Sequence, residues 1–339
     1  DVVQRFRQQT KREVLIMRYT VKAAVMVMFT LCVVLSSVGI VAAAEYPARP
    51  ITLILPHPPG GGADLSARPL AKAAEKYLGQ EIIVENRGGG GGTIGPTIVS
   101  GKSPDGYTIG VMTTSSIIAY SMGRTKWHPI QDISYIMTYT GFMLGVAVRE
   151  NAPWKTIQEF VAYAKQNPNK VSYASSGLGT TAHFPMEELA MSTGARWVHV
   201  PCKGASEAMP SVLGGHTDAV STTSAGWGPL VEAGKLRLLA TFGDVRSEKY
   251  SMAPTLKEAG YDVVWKCPLS IIAPKGLPKP IAEKLHNAFK KAMDDQNFQK
   301  TLKALDFPKL YNSPEDAVKV NQKEFVQIDK ITKELGLNK

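Results

Sequence analysis

From residue 50 onward, short apolar runs rich in β-branched residues alternate with longer stretches whose apolar positions recur every three to four residues. That alternation predicts α/β layers around mainly parallel sheets. The first run, Ile51 to Leu55, is bounded by prolines and reads as a buried strand. Pro58 and Pro59 end it, and Gly60 to Gly62 allow backbone shapes closed to other residues. Asp64 is placed to cap a helix from Leu65 to Leu78 that stops at Gly79. Further strands are expected at 81–85, 107–112, 142–148, 171–174, 197–200, 218–222, 236–242 and 269–273. Thr156-Ile-Gln-Glu159 is a capping box for a helix over 157–166. A second strand, glycine turn and helix follows at 171–192, with Ser175-Ser176-Gly177-Leu178-Gly179-Thr180-Thr181 leading into it and Pro185 in its first turn. Helices over 280–293 and 297–305, and one opened by Ser313, close the chain. Two α/β blocks and a helical tail result, without a countable internal repeat.

The first 44 residues differ in kind. Arg18 and Lys22 precede an apolar run from Ala23 to Ala44 that ends in small residues, which is the pattern of a secretory signal peptide over 17–44 cleaved after Ala44. Residues 1–16 read as an upstream extension before Met17. Removing residues 1–44 takes away six of the 39 basic and two of the 29 acidic residues and leaves a net charge of +6. Such an excess favours anionic ligands. No basic block is interleaved with aromatics, which argues against nucleic acid. Cys202 and Cys267 remain, either paired or as separate buried thiols.

Enzyme chemistry is weakly signalled. Ser175 or Ser176 with His183 and Asp218 makes a triad on paper, but the Gly-x-Ser-x-Gly elbow is missing. The six histidines are scattered, with no His pair at i,i+4 and no Cys-x-x-Cys, so no metal site is expected. The glycine runs lack a Gly-Lys-Ser/Thr ending and the dinucleotide fingerprint, so no cofactor is expected. Lys203 is the best isolated basic candidate. What survives is a pair of anion-friendly turns, Pro58 to Asp64 and Ser175 to His183, each offering backbone N–H groups at a helix start. Facing each other, they would hold a small carboxylate between hydroxyls and amides.

At these residues the sequence resembles the substrate-binding receptors of tripartite tricarboxylate transporters, the Bug family. The resemblance rests on 49–64, on Val84-Glu-Asn-Arg87 with its glycine run, and on Pro104-Asp-Gly-Tyr-Thr108. It continues through 173–183, His199-Val-Pro-Cys-Lys-Gly204, 213–218 and 233–240, in the family's order. It implies a two-lobed α/β periplasmic binding protein of Venus-flytrap, type II-like form with a helical C-terminal segment. Lobe 1 would be 45–143 plus 270–339, and lobe 2 would be 144–269. The implied function is a monomeric, non-enzymatic receptor that captures a mono-, di- or tricarboxylate or aromatic acid and delivers it to a membrane permease. The alternatives are a sensor without its own permease and a secreted α/β hydrolase using Ser176 and His183. Carried over residue by residue, the ligand contacts are His57, Pro59, Gly60, Gly61, Asp64, Ser115, Ser175, Ser176, Gly179, Thr180, Thr181, His183 and Thr222. His57 stands where the family usually has an aromatic residue, and Cys202 where it has tyrosine. Pro69 is expected to interrupt the first helix, and Trp227, beside a polar cleft wall at Thr222 to Ser224, either stacks an aromatic carboxylate or is a core residue, the second being favoured.

Overall fold

The computed structural model describes residues 2–36 and 45–338. The chain divides into two compact units, 1–45 and 46–339. The first holds one helix, α1 (Val2–Ser36), which runs unbroken through Met17. Among the described residues no helix is long and apolar enough to cross a membrane. The expected cleavage point after Ala44 lies outside the described residues.

The second unit contains two five-stranded sheets. The first joins β1 (Ile51–Leu55), β2 (Ile82–Asn86), β3 (Thr108–Met112), β4 (Ile133–Gly141) and a late strand, β10 (Pro268–Pro274). Its order is β2-β1-β3-β10-β4. The second joins β5 (Leu144–Arg149), β6 (Ser172–Ser175), β7 (Val198–Pro201), β8 (Ala219–Thr223) and β9 (Leu236–Thr241), in the order β7-β6-β8-β5-β9.

Two sequence expectations are corrected by these sheets. The sheets are mixed rather than mainly parallel. β2-β1-β3 and β7-β6-β8 are parallel, whereas β10 and β5 run antiparallel to both neighbours. The reversed strands are the ones that enter each sheet where the chain passes between blocks, at Phe142 and Met143 and at 242–267. The two sheets also share one topology, so a structural repeat exists that the residues do not show. β4 was not expected, because Ser134, Thr138 and Thr140 break its apolar run. Inside the fold Thr138 Oγ1 meets Ser270 Oγ at 2.9 Å, and Asn321 donates to the same Ser270 hydroxyl, so the polar residues are paired.

The helices fill in around the sheets. α2 (Gly62–Leu78) ends at Gly79 in the left-handed conformation, as expected, but starts two residues before Asp64. Pro69 does not interrupt it, because packing of α9 (Lys279–Ala292) and α10 (Gln296–Leu305) against α2 holds the helix where one backbone bond is missing. α11 (Pro314–Glu334) packs on β4 and on α4 (Thr114–Ser121), the helix into which the expected polar cluster after β3 continues. α5 (Ile157–Gln166) is capped by Thr156, whose hydroxyl accepts from the Glu159 amide. α3 (Ile94–Ser100), α6 (Phe184–Thr193), α7 (Ala205–Leu213) and α8 (Ser224–Glu232) complete the set. α6 begins three residues later than expected, because 180–183 form a turn. Trp227 is fully buried against Tyr250, a core residue as expected.

Candidate functional site

Each parallel strand delivers its C-terminal end to a helix start: β1 to α2, β2 to α3, β3 to α4, β6 to α6, β7 to α7 and β8 to α8. None of these six helices has a side-chain cap bond at its N-terminus. By contrast α5, α10 and α11, which do not follow parallel strands, are capped by Thr156, Asp295 and Ser313. The first amides of a helix have no intrahelical acceptor and carry the positive end of its dipole. One edge of each sheet therefore gathers uncapped donors. A surface depression of about 520 Å³ lined by Arg149, Glu150, Asn151, Leu213 and Lys235 lies away from this edge, where β5 ends and β9 begins.

The first turn is held from below. Asp64 is buried, and its carboxylate accepts from the Gly60 amide at 2.9 Å, Arg68 Nε at 2.8 Å and Asn86 Nδ2 at 2.9 Å. With three donors and a negative charge it cannot also receive an anion. Its work is to fold the turn, and the expectation that it caps α2 is corrected: Gly61 holds that position. Asn86 also donates to the His57 carbonyl at 3.0 Å, so β2 is stitched to the turn. Pro59 and Gly60 lie exposed at the rim, with Gly61 half-buried. His57 Nε2 is 3.2 Å from Thr113 Oγ1, and burial lowers its pKa to about 4, which leaves the ring neutral at pH 7. Gly92, with φ +93°, passes so close that a Cβ would meet Ser116 Oγ at 3.2 Å and the His57 ring at 3.3 Å. That close approach explains one end of the glycine run.

The second turn, unlike the first with its Asp64, carries no ionised side chain. Ser175 is buried, with its hydroxyl 2.7 Å from His199 Nε2 and accepting from the Gly177 amide at 3.1 Å. Ser176 donates to Thr180 Oγ1 at 3.4 Å, and Thr180 donates to the Gly177 carbonyl at 2.8 Å. His183 Nδ1 accepts from the Gly179 amide at 3.4 Å, and its ring stacks on His199 with centroids 4.1 Å apart. Burial foremost, then the nearby His199 and the Arg124 charge, lowers the His183 pKa to about 3. Burial lowers that of His199 to about 4. Below the pair, Tyr173 donates to Glu187 at 2.6 Å. Ser176 and His183 do not bond to each other, so the hydrolase pairing lacks its base.

The two turns meet through α4. The Thr181 amide donates to Ser115 Oγ at 3.2 Å, joining a residue of the second sheet's turn to one beside the first. Thr222 is buried on β8, and its carbonyl accepts from Trp227 Nε1 at 3.0 Å. Ser224, at the start of α8, donates to the Leu305 carbonyl at 2.5 Å. Phe142 and Phe307 pack edge to face beside Gly62, where an added Cβ would lie 2.7 Å from Phe307. Sequence reasoning missed Phe307, Arg124 and the role of Asn86. Asn86 lies in a quoted motif, whereas Arg124 follows Gly123 with no pattern to mark it. Cys202 and Cys267 are both free, the first half-buried and the second buried. Among the described residues no group of three or more His, Cys, Asp and Glu is placed to hold a metal ion.

Comparison with known proteins places this geometry. Residues 66–337 match the family described as tripartite tricarboxylate transporter family receptor, TctC. A Cupriavidus necator protein, described as UPF0065 protein in gbd 5'region, is 41% identical over 297 residues, covering 88% of this chain and 90% of its own. The structure of the periplasmic binding protein BugD is similar with a TM-score of 0.74 at 29% identity, over 86% of this chain and 99% of that one. MatC from Rhodopseudomonas palustris, with bound malate, is similar with a TM-score of 0.75 at 25% identity, over 84% and 99%. A second R. palustris protein, with adipate, gives 0.76 at 26% identity, over 86% and 99%. The fold is thus that of the two-lobed α/β periplasmic binding proteins, one sheet to each lobe, and the chain belongs to the tripartite tricarboxylate transporter receptor family, TctC, in which the Bug proteins fall.

Proposed function

We propose that this chain is a periplasmic receptor that captures a small carboxylate between two lobes and delivers it to a tripartite tricarboxylate-type permease, acting as a monomer without catalysis. Lobe 1 is 45–143 with 270–339 and lobe 2 is 144–269, except that β10 carries Pro268 and Leu269 into the first sheet, with closure by rotation about the segments that join them. The observation that carries the reading is the pair of helix-start turns without side-chain caps, the second of them tied by the Thr181–Ser115 bond to α4, which follows β3, the neighbour of β1. Neutral donors suit a carboxylate that must later be released. The malate- and adipate-bound relatives supply the ligand class.

In this reading the ligand is lined by Gly60, Gly61, Ser176, Gly179, Thr180, Thr181 and Thr222, with the Gly60, Gly179 and Thr181 amides, already bonded to Asp64, His183 and Ser115, shaping the turns. His57 and His183 act as neutral polar contacts, Pro59 shapes the rim, and Ser115 and Ser175 set the turns. The signal peptide over 17–44 brings the protein to the periplasm.

The test is a thermal-shift screen against C4 to C8 dicarboxylates, citrate and aromatic acids. A ligand at 100 times its dissociation constant stabilises by about 2.7 kcal/mol, a readily measured rise in Tm. Stabilisation by a neutral sugar and by no carboxylate would overturn the reading.

A further inference from the structure

α4 spans from the crossing segments toward the second sheet's turn. Its first residue, Thr114, donates to Glu324 Oε2 at 2.7 Å, and the Cys267 amide donates to the other oxygen of the same carboxylate at 3.1 Å. Cys267 lies in the segment that returns the chain to the first sheet, and its carbonyl accepts from the Phe142 amide at 3.0 Å in the other crossing. The helix therefore starts beside the pivot. It then runs eight residues, about 12 Å at 1.5 Å per residue. Arg124 lies past its far end.

At that end Arg124 Nη1 donates to the Leu178 carbonyl at 3.3 Å, across the two lobes. The guanidinium occupies a slot between two glycines with positive φ, one from each lobe. A Cβ on Gly91 would stand 3.3 Å from Nη1, and one on Gly179 would stand 3.2 Å from it. No carboxylate pairs with Arg124 among the described residues, so nothing in its own lobe claims the charge. Besides the Thr181–Ser115 bond at the start of α4, further bonds between the lobes involve residues beside the crossings. Glu188, which accepts from Trp265 of the 242–267 segment, also accepts from Gln327 of α11 at 2.9 Å, and Ser224, whose hydroxyl donates to the Leu305 carbonyl, donates its amide to the Met143 carbonyl. Rotation about the crossings displaces these little and the far end of α4 most.

We infer that Arg124 is a latch: its guanidinium, bolted between the glycine run of lobe 1 and the Leu178–Gly179 turn of lobe 2, holds the cleft shut. The inference rests on the two-lobed receptor reading and names a positioning residue within it. Arg124 slows opening, and therefore release of cargo, without being one of the turn donors. Its planar fork fits a slot lined by backbone where a branched side chain would not.

Hydrogen exchange of the unliganded protein tests this. Arg124→Met keeps the aliphatic stem and removes the donor, whereas Arg124→Lys keeps a donor and the charge. The Thr181 and Gly179 amides, bonded to Ser115 and His183, should exchange about five- to tenfold faster in Arg124→Met, the scale of one ordinary hydrogen bond. Exchange in the strands of both sheets should not change, and Arg124→Lys should recover part of the protection. Wild-type exchange at 176–184 in Arg124→Met, equal loss in the Met and Lys variants, or acceleration spread over both sheets would overturn the latch. Because no ligand enters this measurement, failure to bind carboxylates would overturn the proposed function without touching it.

Discussion

Glu324 offers the sharpest quantitative test of the region where the chain crosses between sheets. Its carboxyl is 7% exposed and has two donors, the Thr114 hydroxyl and the Cys267 amide. Burial raises its pKa from the ordinary 4.5 to about 7, against the lowering effect of both hydrogen bonds. The folded protein therefore binds this proton more tightly than the unfolded chain does. Between about pH 4.5 and 7 the group makes stability fall as pH rises, and above pH 7 the whole cost is present. At about 1.36 kcal/mol for each pH unit, that cost is about 3 kcal/mol. Glu324→Gln reproduces the protonated acid, with its carbonyl toward the Cys267 amide and its NH2 toward the Thr114 hydroxyl. Urea unfolding of both proteins at several pH values from 4.5 to 8 measures the difference. The variant should match the wild type near pH 4.5 and exceed it by about 3 kcal/mol at pH 8. The difference curve is needed because His57, His183 and His199 carry lowered pKa values and slope the other way over part of the range. They are common to both proteins and cancel. A flat difference curve, or a variant less stable at pH 8, would refute the reasoning.

Further outcomes follow from other contacts. Asp64→Ala strands the Gly60 amide, Arg68 and Asn86 together, and should lower unfolding free energy by about 2–3 kcal/mol in denaturant titrations; a loss under about 0.5 kcal/mol would remove Asp64 as the staple of the turn. The stacked His183 and His199 contribute stability that is present above pH 6.5 and lost as pH falls toward 4 and 3, so the drop in Tm from pH 7 to pH 5 should shrink in His199→Gln; an unchanged drop would contradict it. Gly92→Ala adds both a positive-φ strain and contacts at 3.2–3.3 Å, whereas Gly79→Ala adds strain alone, with nothing within 4 Å. Gly92→Ala should therefore be the more destabilising by about 1 kcal/mol or more in parallel melts, and equal losses would show that the run yields without cost.

Local chemistry was legible wherever one residue decides it. Thr156 caps α5 and Ser313 caps α11, because a hydroxyl at that offset reaches the backbone amide three residues on. Gly79 ends α2 because it takes a left-handed conformation at no cost. Ile51 to Leu55 forms a strand to the residue, since a fully buried strand reads as an apolar run. Features decided by distant partners were not legible. Strand direction in β5 and β10 depends on which neighbours receive them, and β4 hides behind polar residues such as Thr138 and Thr140, satisfied by Ser270 and the Pro308 carbonyl. In the candidate site, both turns and Ser115 stood out through glycines, hydroxyls and position. What each atom does there did not, because Asp64 is occupied by Arg68 and Asn86, and Ser175 by a histidine 24 residues away. Arg124 left no local trace, since its partners belong to loops 33 and 54 residues away in the chain.

The placing of β10 has a consequence for how the chain is made. β4 reaches the first sheet only through β10, whose residues come after all of the second sheet. As the chain is synthesised, residues 133–141 have no strand to join until residue 268 has followed them. The second sheet waits for nothing, since β5 to β9 are contiguous. The nascent chain thus completes its later sheet first and its earlier one last, with β4 an open edge for the interval. Long-range closure of this kind is slow, and an unpaired edge is exposed to aggregation. Chaperone demand during folding should therefore centre on residues 133–141, the strand whose partner arrives last.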